Sequence, residues 1–137
     1  INRCYTLDEY DKTMNNLKRL DVHVVVHMII GLPGETKQDM ISTVRYIADS
    51  GADGIKLQLL HVLKNTVLEK MYINGEFDVL TFEEYADILC DCLMELPPGM
   101  VVHRFTGDGP KKILVAPMWS ADKKMVLNRL NRIVSDL

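Results

Sequence analysis

The chain has 137 residues, of which 47% are hydrophobic and 26% charged, and its formal net charge at pH 7 is −3. This composition excludes a disordered chain, and the negative balance argues against nucleic-acid binding driven by overall charge, although local clusters of Lys and Arg remain compatible with it. The length suits one domain over residues 1–137. No apolar stretch reaches the roughly 18–20 residues of a membrane span and no signal peptide is evident, so we expect a cytoplasmic protein.

Helical and strand patterns alternate along the chain. Capping boxes, in which Thr is followed three residues later by Glu, mark two helix starts at Thr6 and Thr81. The β-branched and almost continuous apolar run Val22–Ile30 is typical of a parallel strand that is covered on both faces. The predicted elements are a helix over 7–20, a strand over 22–30, a helix over 36–50, a strand over 54–60, a short helix over 67–72, a helix over 81–96, a strand over 100–105 and a helix over 120–136.

This order, α-β-α-β-α-α-β-α, predicts an α/β fold of parallel βαβ units with right-handed crossovers. It permits two architectures, a small open α/β sheet or a piece of a (β/α) barrel. Both place ligands at the carboxyl ends of their parallel strands. The three unusual loops, "GLPGET", "HVLKNT" and "TGDGP", each follow a predicted strand, so we expect them at that edge.

Residue alternation predicts that the first two strands each have an apolar face and a more polar face. The apolar faces carry Val22, Val24, Val26, Met28 and Ile30 in the first strand and Ile55, Leu57 and Leu59 in the second. The opposite faces carry His23, Val25, His27 and Ile29 in the first strand and Lys56, Gln58 and Leu60 in the second. The second set resembles the lining of a barrel interior or cleft, with satisfied core residues as the plainer alternative.

The loop "GLPGET" joins the first strand to the second helix. Gly31 and Gly34 lack a Cβ, so they can adopt positive φ or let a ligand approach the backbone. Thr36 can cap the following helix, whose free N–H groups favour a negative group. The loop matches neither a Walker motif nor G-x-G-x-x-G, so its composition leaves open whether it is a tight turn or a ligand site.

The cysteines do not indicate a disulfide framework or a metal site. Cys4, Cys90 and Cys92 are too few and too scattered for such a framework, and no pair has the spacing of a zinc site. We predict that all three are reduced and structural.

"HMIIGLPGET" resembles the fifth-strand segment of radical S-adenosylmethionine (SAM) enzymes. The match is sharpened by "INRCYTLDEY" before it and by "GIKLQLLHVLKNTVLEKMY", "EEYADILCDCLMELPP" and "VVHRFTGDGPKKILVAPMWSADKK" after it. Together these segments resemble the later part of the YhcC-like group of that superfamily, and the resemblance covers essentially the entire chain. It implies the C-terminal portion of a (β/α)₆ partial TIM barrel in an iron–sulfur oxidoreductase.

In that family a C-x-x-x-C-x-x-C loop binds a [4Fe–4S] cluster, which holds SAM and cleaves it reductively to a 5′-deoxyadenosyl radical. This sequence has no such loop, so the resemblance implies no cluster ligands here and no activity for the chain alone. It implies the missing N-terminal half of the same barrel as partner, and it leaves the substrate unknown. We also expect an exposed strand edge through which the isolated chain self-associates.

The resemblance also implies site residues. Ile29 would touch the adenine, with Gly31 making space beside it and His27 one step deeper on the same face. Glu35 would brace the loop, while Leu60 and His61 would make contacts near the adenosyl group. The candidates for substrate or cofactor contact are Gln58, Arg104 and Asp108.

Two other functions remain open from the residues alone. The first is a self-contained α/β module that binds a nucleotide or small anion at Gly31–Thr36 without catalysis. The second is a protein-interaction module that uses "GPKKILVAPMW", with Met118 and Trp119 as anchors.

Overall fold

The computed structural model describes residues 7–106 and 111–137. The helices and strands are α1 (Leu7–Arg19), β1 (Val25–Ile30), α2 (Lys37–Asp49), β2 (Gly54–Leu59), β3 (Val62–Leu63), α3 (Val67–Ile73), α4 (Phe82–Met94), β4 (Val101–Arg104), β5 (Leu114–Ala116) and α5 (Lys123–Ser135). Short 3₁₀ turns at Lys111–Ile113 and Met118–Ala121 flank β5. No helix within these described ranges is long and apolar enough to cross a membrane.

Three strands form a parallel sheet in the order β1-β2-β4. β1 and β2 run in register from the pair Val25–Gly54 to the pair Ile30–Leu59. The predicted parallel α/β fold is therefore confirmed. Because all three strands point the same way, their carboxyl ends and the loops that follow lie at one edge of the sheet.

The helices cover one face of this sheet. The strands contribute Met28, Ile30, Ile55, Leu57 and Leu59 to a continuous core, and the helices contribute Met40, Val44, Tyr85, Leu89, Val126 and Leu130. The predicted alternation is confirmed at most positions, since Met28, Ile30, Ile55, Leu57 and Leu59 are buried while His27 and Ile29 are exposed and Lys56 and Gln58 are partly exposed. Two positions were predicted wrongly: Val22 is exposed because it precedes the strand, and Leu60 is buried beside Gly31. One face of the sheet is therefore left open.

The helix starts follow the predicted chemistry. Thr36 caps α2 and Thr81 caps α4, each as a capping box whose partner is Asp39 or Glu84 respectively. Each box satisfies backbone N–H groups that a helix start leaves without an intrahelical partner. Thr6, predicted to cap the first helix, lies outside the described residues.

The first strand is shorter than predicted. It starts at Val25, and the backbone of Val24 bonds to Asp53 and to Gly54, the first residue of β2. The Val24 N–H donates to the Asp53 carboxylate at 2.7 Å, and the Val24 carbonyl accepts from the N–H groups of Asp53 and Gly54. This turn ties the amino ends of β1 and β2 together.

A two-stranded antiparallel ribbon of β3 and β5 was not predicted. Its strands have two and three residues, too few for an alternation pattern to be visible. The ribbon continues the chain from the carboxyl end of β2, so it lies next to the edge where the loops gather.

Candidate functional site

The site forms where β1 ends in the Gly-Leu-Pro-Gly loop. The Ile30 carbonyl accepts a hydrogen bond from the Leu60 N–H at 2.9 Å, which holds the ends of β1 and β2 side by side. Gly31 then turns the chain with a φ of 103° and Gly34 with a φ of 80°, values that side chains with a Cβ rarely adopt. The Glu35 N–H closes the turn on the Leu32 carbonyl at 3.1 Å.

Gly31 also makes room for the side chain of Leu80, a residue that the sequence analysis did not place at the site. A Cβ at Gly31 would lie 3.3 Å from Leu80 Cδ1 and 3.6 Å from Leu60 Cβ. The space on that side is therefore filled by Leu80, which comes from the segment before α4. No pattern in the sequence points from Gly31 to Leu80, because the two residues meet only through the fold.

Four of the predicted site residues share the open face of the sheet or its neighbouring edge. Ile29 pairs in register with Gln58, and His27 pairs with Lys56, which in turn pairs with Arg104 on β4. The Ile29 side chain is 40% exposed, although it lies at the end of an otherwise apolar strand. The structure thus brings His27, Ile29, Gln58 and Arg104 onto one surface.

The remaining predicted residues lie around this surface. Leu60 is buried beside Gly31 and His61 is partly exposed. Glu35 is partly exposed and lines a shallow cavity of about 450 Å³ on the outer side of the loop, together with Asp39 and Ser42 of α2. Neither Ile29 nor Gln58 lines that cavity. Asp108 lies outside the described residues.

The amino end of α2 already carries an anion. The Asp39 carboxylate accepts from the Thr36 N–H at 2.9 Å, and the Thr36 hydroxyl accepts from the Asp39 N–H at 3.1 Å. With Glu35 nearby in the same cavity lining, two carboxylates face the place where a bound anion would sit. Like charges repel, so this helix start is unsuited to phosphate.

The two cysteines among the described residues, Cys90 and Cys92, do not fit a [4Fe–4S] cluster, and Cys4 lies outside those residues. In the described part of the chain, no three His, Cys, Asp or Glu side chains come together in a way that could hold a metal ion. Cys90 and Cys92 both lie on α4, and burial raises the pKa of the Cys92 thiol to about 12. A buried thiol of this kind is inert and not a ready metal ligand.

The family model described as the radical SAM C-terminal domain matches residues 52–135. The chain belongs to this family, and within it to the YhcC-like group.

Several relatives show how the chain compares with longer proteins. YtqA of Bacillus subtilis (strain 168) is 40% identical over 132 residues, which cover 96% of this chain and 41% of YtqA. YhcC of Escherichia coli (strain K12) is 27% identical over 136 residues, which cover 99% of this chain and 44% of YhcC. The chain spans about two-fifths of the length of these curated relatives.

A solved structure shares the fold. Elp3 of the archaeon Methanocaldococcus infernus, with residues 1–46 deleted, superimposes with a TM-score of 0.75 at 20% sequence identity. The match covers 96% of this chain and 32% of the Elp3 chain. At this identity the likeness concerns the fold.

Proposed function

We propose that this chain supplies the adenosyl-side wall of the SAM pocket, and part of the substrate wall, in a radical SAM iron–sulfur oxidoreductase. Enzymes are found among its relatives in the superfamily. The observation that carries the proposal is Ile29, an apolar side chain that is 40% exposed at the carboxyl end of β1. An exposed apolar side chain beside a few polar groups is one element of a small-molecule site.

The neighbours of Ile29 suit an adenosyl group. Adenine has apolar faces and a polar edge, so a site for it needs an apolar contact and a few hydrogen-bonding groups. Ile29 offers the first, while the amide of Gln58, its partner in the sheet register, offers the second. Gly31 follows two residues later and turns the chain there with a φ of 103°.

The cluster and SAM supply the radical chemistry when they are bound, and the residues of this chain bind and orient the adenosyl group. The described cysteines do not fit the cluster, so we place its ligands in the N-terminal half of the same barrel. The relatives support this placement because they are more than twice as long as the segment that matches. The chain alone is then inactive.

The free edge of β1 is the place where that half would join. Among the described strands, β1 pairs only with β2. An unpaired strand edge is a template for another strand, so we propose that it pairs with the preceding strand of the barrel and that the isolated chain self-associates. A monomer at all concentrations in light scattering, together with no binding of an apolar dye, would count against self-association.

No observation favours the two other candidate functions. The start of α2, where an anion would bind, carries the carboxylate of Asp39 and lies beside Glu35. Trp119 is engaged within the chain, since its Nε1 donates to the Leu80 carbonyl at 3.0 Å and its ring packs edge-on against Phe82. It is therefore not a free anchor for a partner.

The proposal is tested by nuclear magnetic resonance titrations of the ¹⁵N-labelled chain with adenosine, with methionine and with inorganic phosphate. We expect adenosine to shift the amide signals of Ile29, Gly31 and Leu60, because these residues form the adenosyl wall. Methionine should leave the same signals in place, since its contacts belong to the other half of the barrel. Phosphate shifts confined to Thr36 and Asp39, without any adenosine response, would instead support the anion-binding module.

A further inference from the structure

Leu80 occupies the space beside the positive-φ turn that ends β1. Its Cδ1 and Cγ atoms would lie 3.3 and 3.5 Å from a Cβ at Gly31, so the side chain packs where that Cβ would point. The buried Leu60 closes the same space, with its Cβ 3.6 Å from that position. Because packed side chains leave little free volume, the turn at Gly31 keeps its position only while Leu80 stays in place.

Hydrogen bonds on both sides hold the backbone of Leu80, which lies in the segment that joins α3 to α4. Its carbonyl accepts a hydrogen bond from Trp119 Nε1 at 3.0 Å. The next residue, Thr81, belongs to the capping box of α4. The Thr81 N–H donates to the Glu84 carboxylate at 3.0 Å, and the Thr81 hydroxyl accepts from the Glu84 N–H at 3.1 Å. Leu80 therefore has a fixed position although it lies between two helices.

Trp119 is itself held by aromatic neighbours. Its ring lies edge-on to the ring of Phe82, with the centroids 5.4 Å apart, and is tilted against the ring of Tyr85 at 6.0 Å. Both neighbours are buried in the first turn of α4. Aromatic pairs in such arrangements add to the stability that burial alone gives. The contacts therefore run from Trp119, in the 3₁₀ turn after β5, through Leu80 to the turn at Gly31.

We propose that Leu80, held in place by Trp119, is a positioning residue for the adenosyl wall and acts on it through the turn at Gly31. The role toward an adenosyl ligand rests on the proposed function, whereas the support of the turn does not. Binding groups need neighbours that keep them within a narrow range of productive geometry. Loss of the Leu80 side chain therefore weakens binding through a looser turn and not through a lost ligand contact.

The test compares two leucine truncations in the ¹⁵N-labelled chain, each titrated with adenosine. Leu80→Ala removes the support of the turn. Leu93→Ala is the matched control, because it removes the same atoms from another partly buried leucine that packs against the core, at the opposite end of α4. We expect Leu80→Ala to weaken adenosine binding by about fivefold or more and Leu93→Ala to leave it unchanged. Leu80→Met keeps most of the volume and should restore the affinity of the parent chain to within about twofold.

Amide hydrogen exchange measures the order of the turn without any ligand. The Leu60 N–H donates to the Ile30 carbonyl and the Glu35 N–H to the Leu32 carbonyl, so both amides report on this turn. Exchange at both should be about tenfold faster in Leu80→Ala than in the leucine control, because fewer contacts have to break before the turn opens.

Trp119→Phe removes the Nε1 donor and keeps an aromatic ring. We expect it to weaken adenosine binding and to speed exchange in the turn by about threefold each, so it tests the same contacts if Leu80→Ala does not fold. Equal adenosine affinity and equal exchange in the Leu80 and Leu93 variants would overturn the proposal.

The two readouts keep the positioning role apart from the proposed function. If adenosine binds the parent chain and both leucine variants equally, the positioning role is wrong and the adenosyl wall stands. If adenosine does not bind the parent chain but exchange in the turn rises in Leu80→Ala alone, the adenosyl wall is wrong and the support of the turn stands.

Discussion

The buried hydroxyl of Tyr85 donates a hydrogen bond of 2.5 Å to the backbone carbonyl of Phe105. It ties the first turn of α4 to the residue that directly follows β4. Burial also raises the pKa of this hydroxyl, so it stays protonated and remains a donor across the physiological range. Tyr85 therefore holds the end of β4 against the helices that cover the sheet.

Tyr85→Phe removes only this donor and leaves the ring in the core. The Phe105 carbonyl loses its bond in a part-buried setting, so we expect the free energy of unfolding to fall by about 1–2 kcal/mol. Urea unfolding followed by circular dichroism measures the change. Tyr72→Phe is the control, since the Tyr72 hydroxyl has no hydrogen-bond partner among the described residues, and it should change stability by less than about 0.5 kcal/mol.

Asp53 should make stability depend on acid pH. Its carboxylate accepts from the Val24 N–H and from Lys18, and these bonds hold its pKa below the usual range. A depressed pKa in the folded state stabilises the fold above the unfolded pKa, and this stability is lost as the pH falls through the folded value. Thermal unfolding between pH 7 and pH 3 should show a smaller acid dependence for Asp53→Asn than for the parent chain.

The control for this experiment is Asp49→Asn, which removes the same charge from an exposed site without an ion pair among the described residues. It should keep the acid dependence of the parent chain. If Asp53→Asn and Asp49→Asn give the same pH profile, the turn between Val24 and Asp53 does not contribute as described.

The two cysteines of α4 should react at different rates. Burial raises the pKa of Cys92 to about 12, so its thiol is almost entirely protonated at pH 8, and the side chain is also fully buried. Cys90 is partly exposed, and the pKa of its thiol is raised as well, again through burial. Brief treatment with iodoacetamide and mass spectrometry of the peptides should show Cys90 modified well before Cys92. Faster labelling of Cys92 would mean that α4 does not pack as described.

Gly31→Ala should destabilise the loop at the end of β1. Alanine would have to adopt the positive φ of 103° at this position, and its Cβ would lie 3.3 Å from Leu80. We therefore expect the free energy of unfolding, measured in urea, to fall by about 1–3 kcal/mol. Gly99→Ala is the control, because its Cβ would meet nothing within 4 Å and its φ is not positive. Adding Leu80→Ala to Gly31→Ala relieves the contact but not the backbone strain. A Gly31 variant as stable as the Gly99 variant would contradict the geometry of this turn.

Local patterns predicted the parts of the fold that local chemistry determines. The period of two in β1 and β2 gave most of the buried and open positions, while the capping residue Thr36 and the capping box at Thr81 gave the starts of α2 and α4 within one residue. Three features were not predictable: the contact of Gly31 with Leu80, the extra residue His103 that shifts the register between β4 and β2, and the ribbon of β3 with β5. Each of these features joins residues far apart in the chain or depends on a single extra residue, so no periodic pattern in the sequence predicts it.

The central claim is that Ile29 forms part of the adenosyl wall of a SAM site, and binding of labelled SAM tests it most directly. The matched 132-residue segment of YtqA is replaced by this chain, the chimera is reconstituted with iron and sulfide without oxygen, and SAM binding is measured by equilibrium dialysis. We predict that Ile29→Glu weakens SAM binding at least tenfold, whereas Val67→Glu, at a position 73% exposed on α3, leaves it unchanged. Equal affinity of the two variants for SAM would contradict the claim.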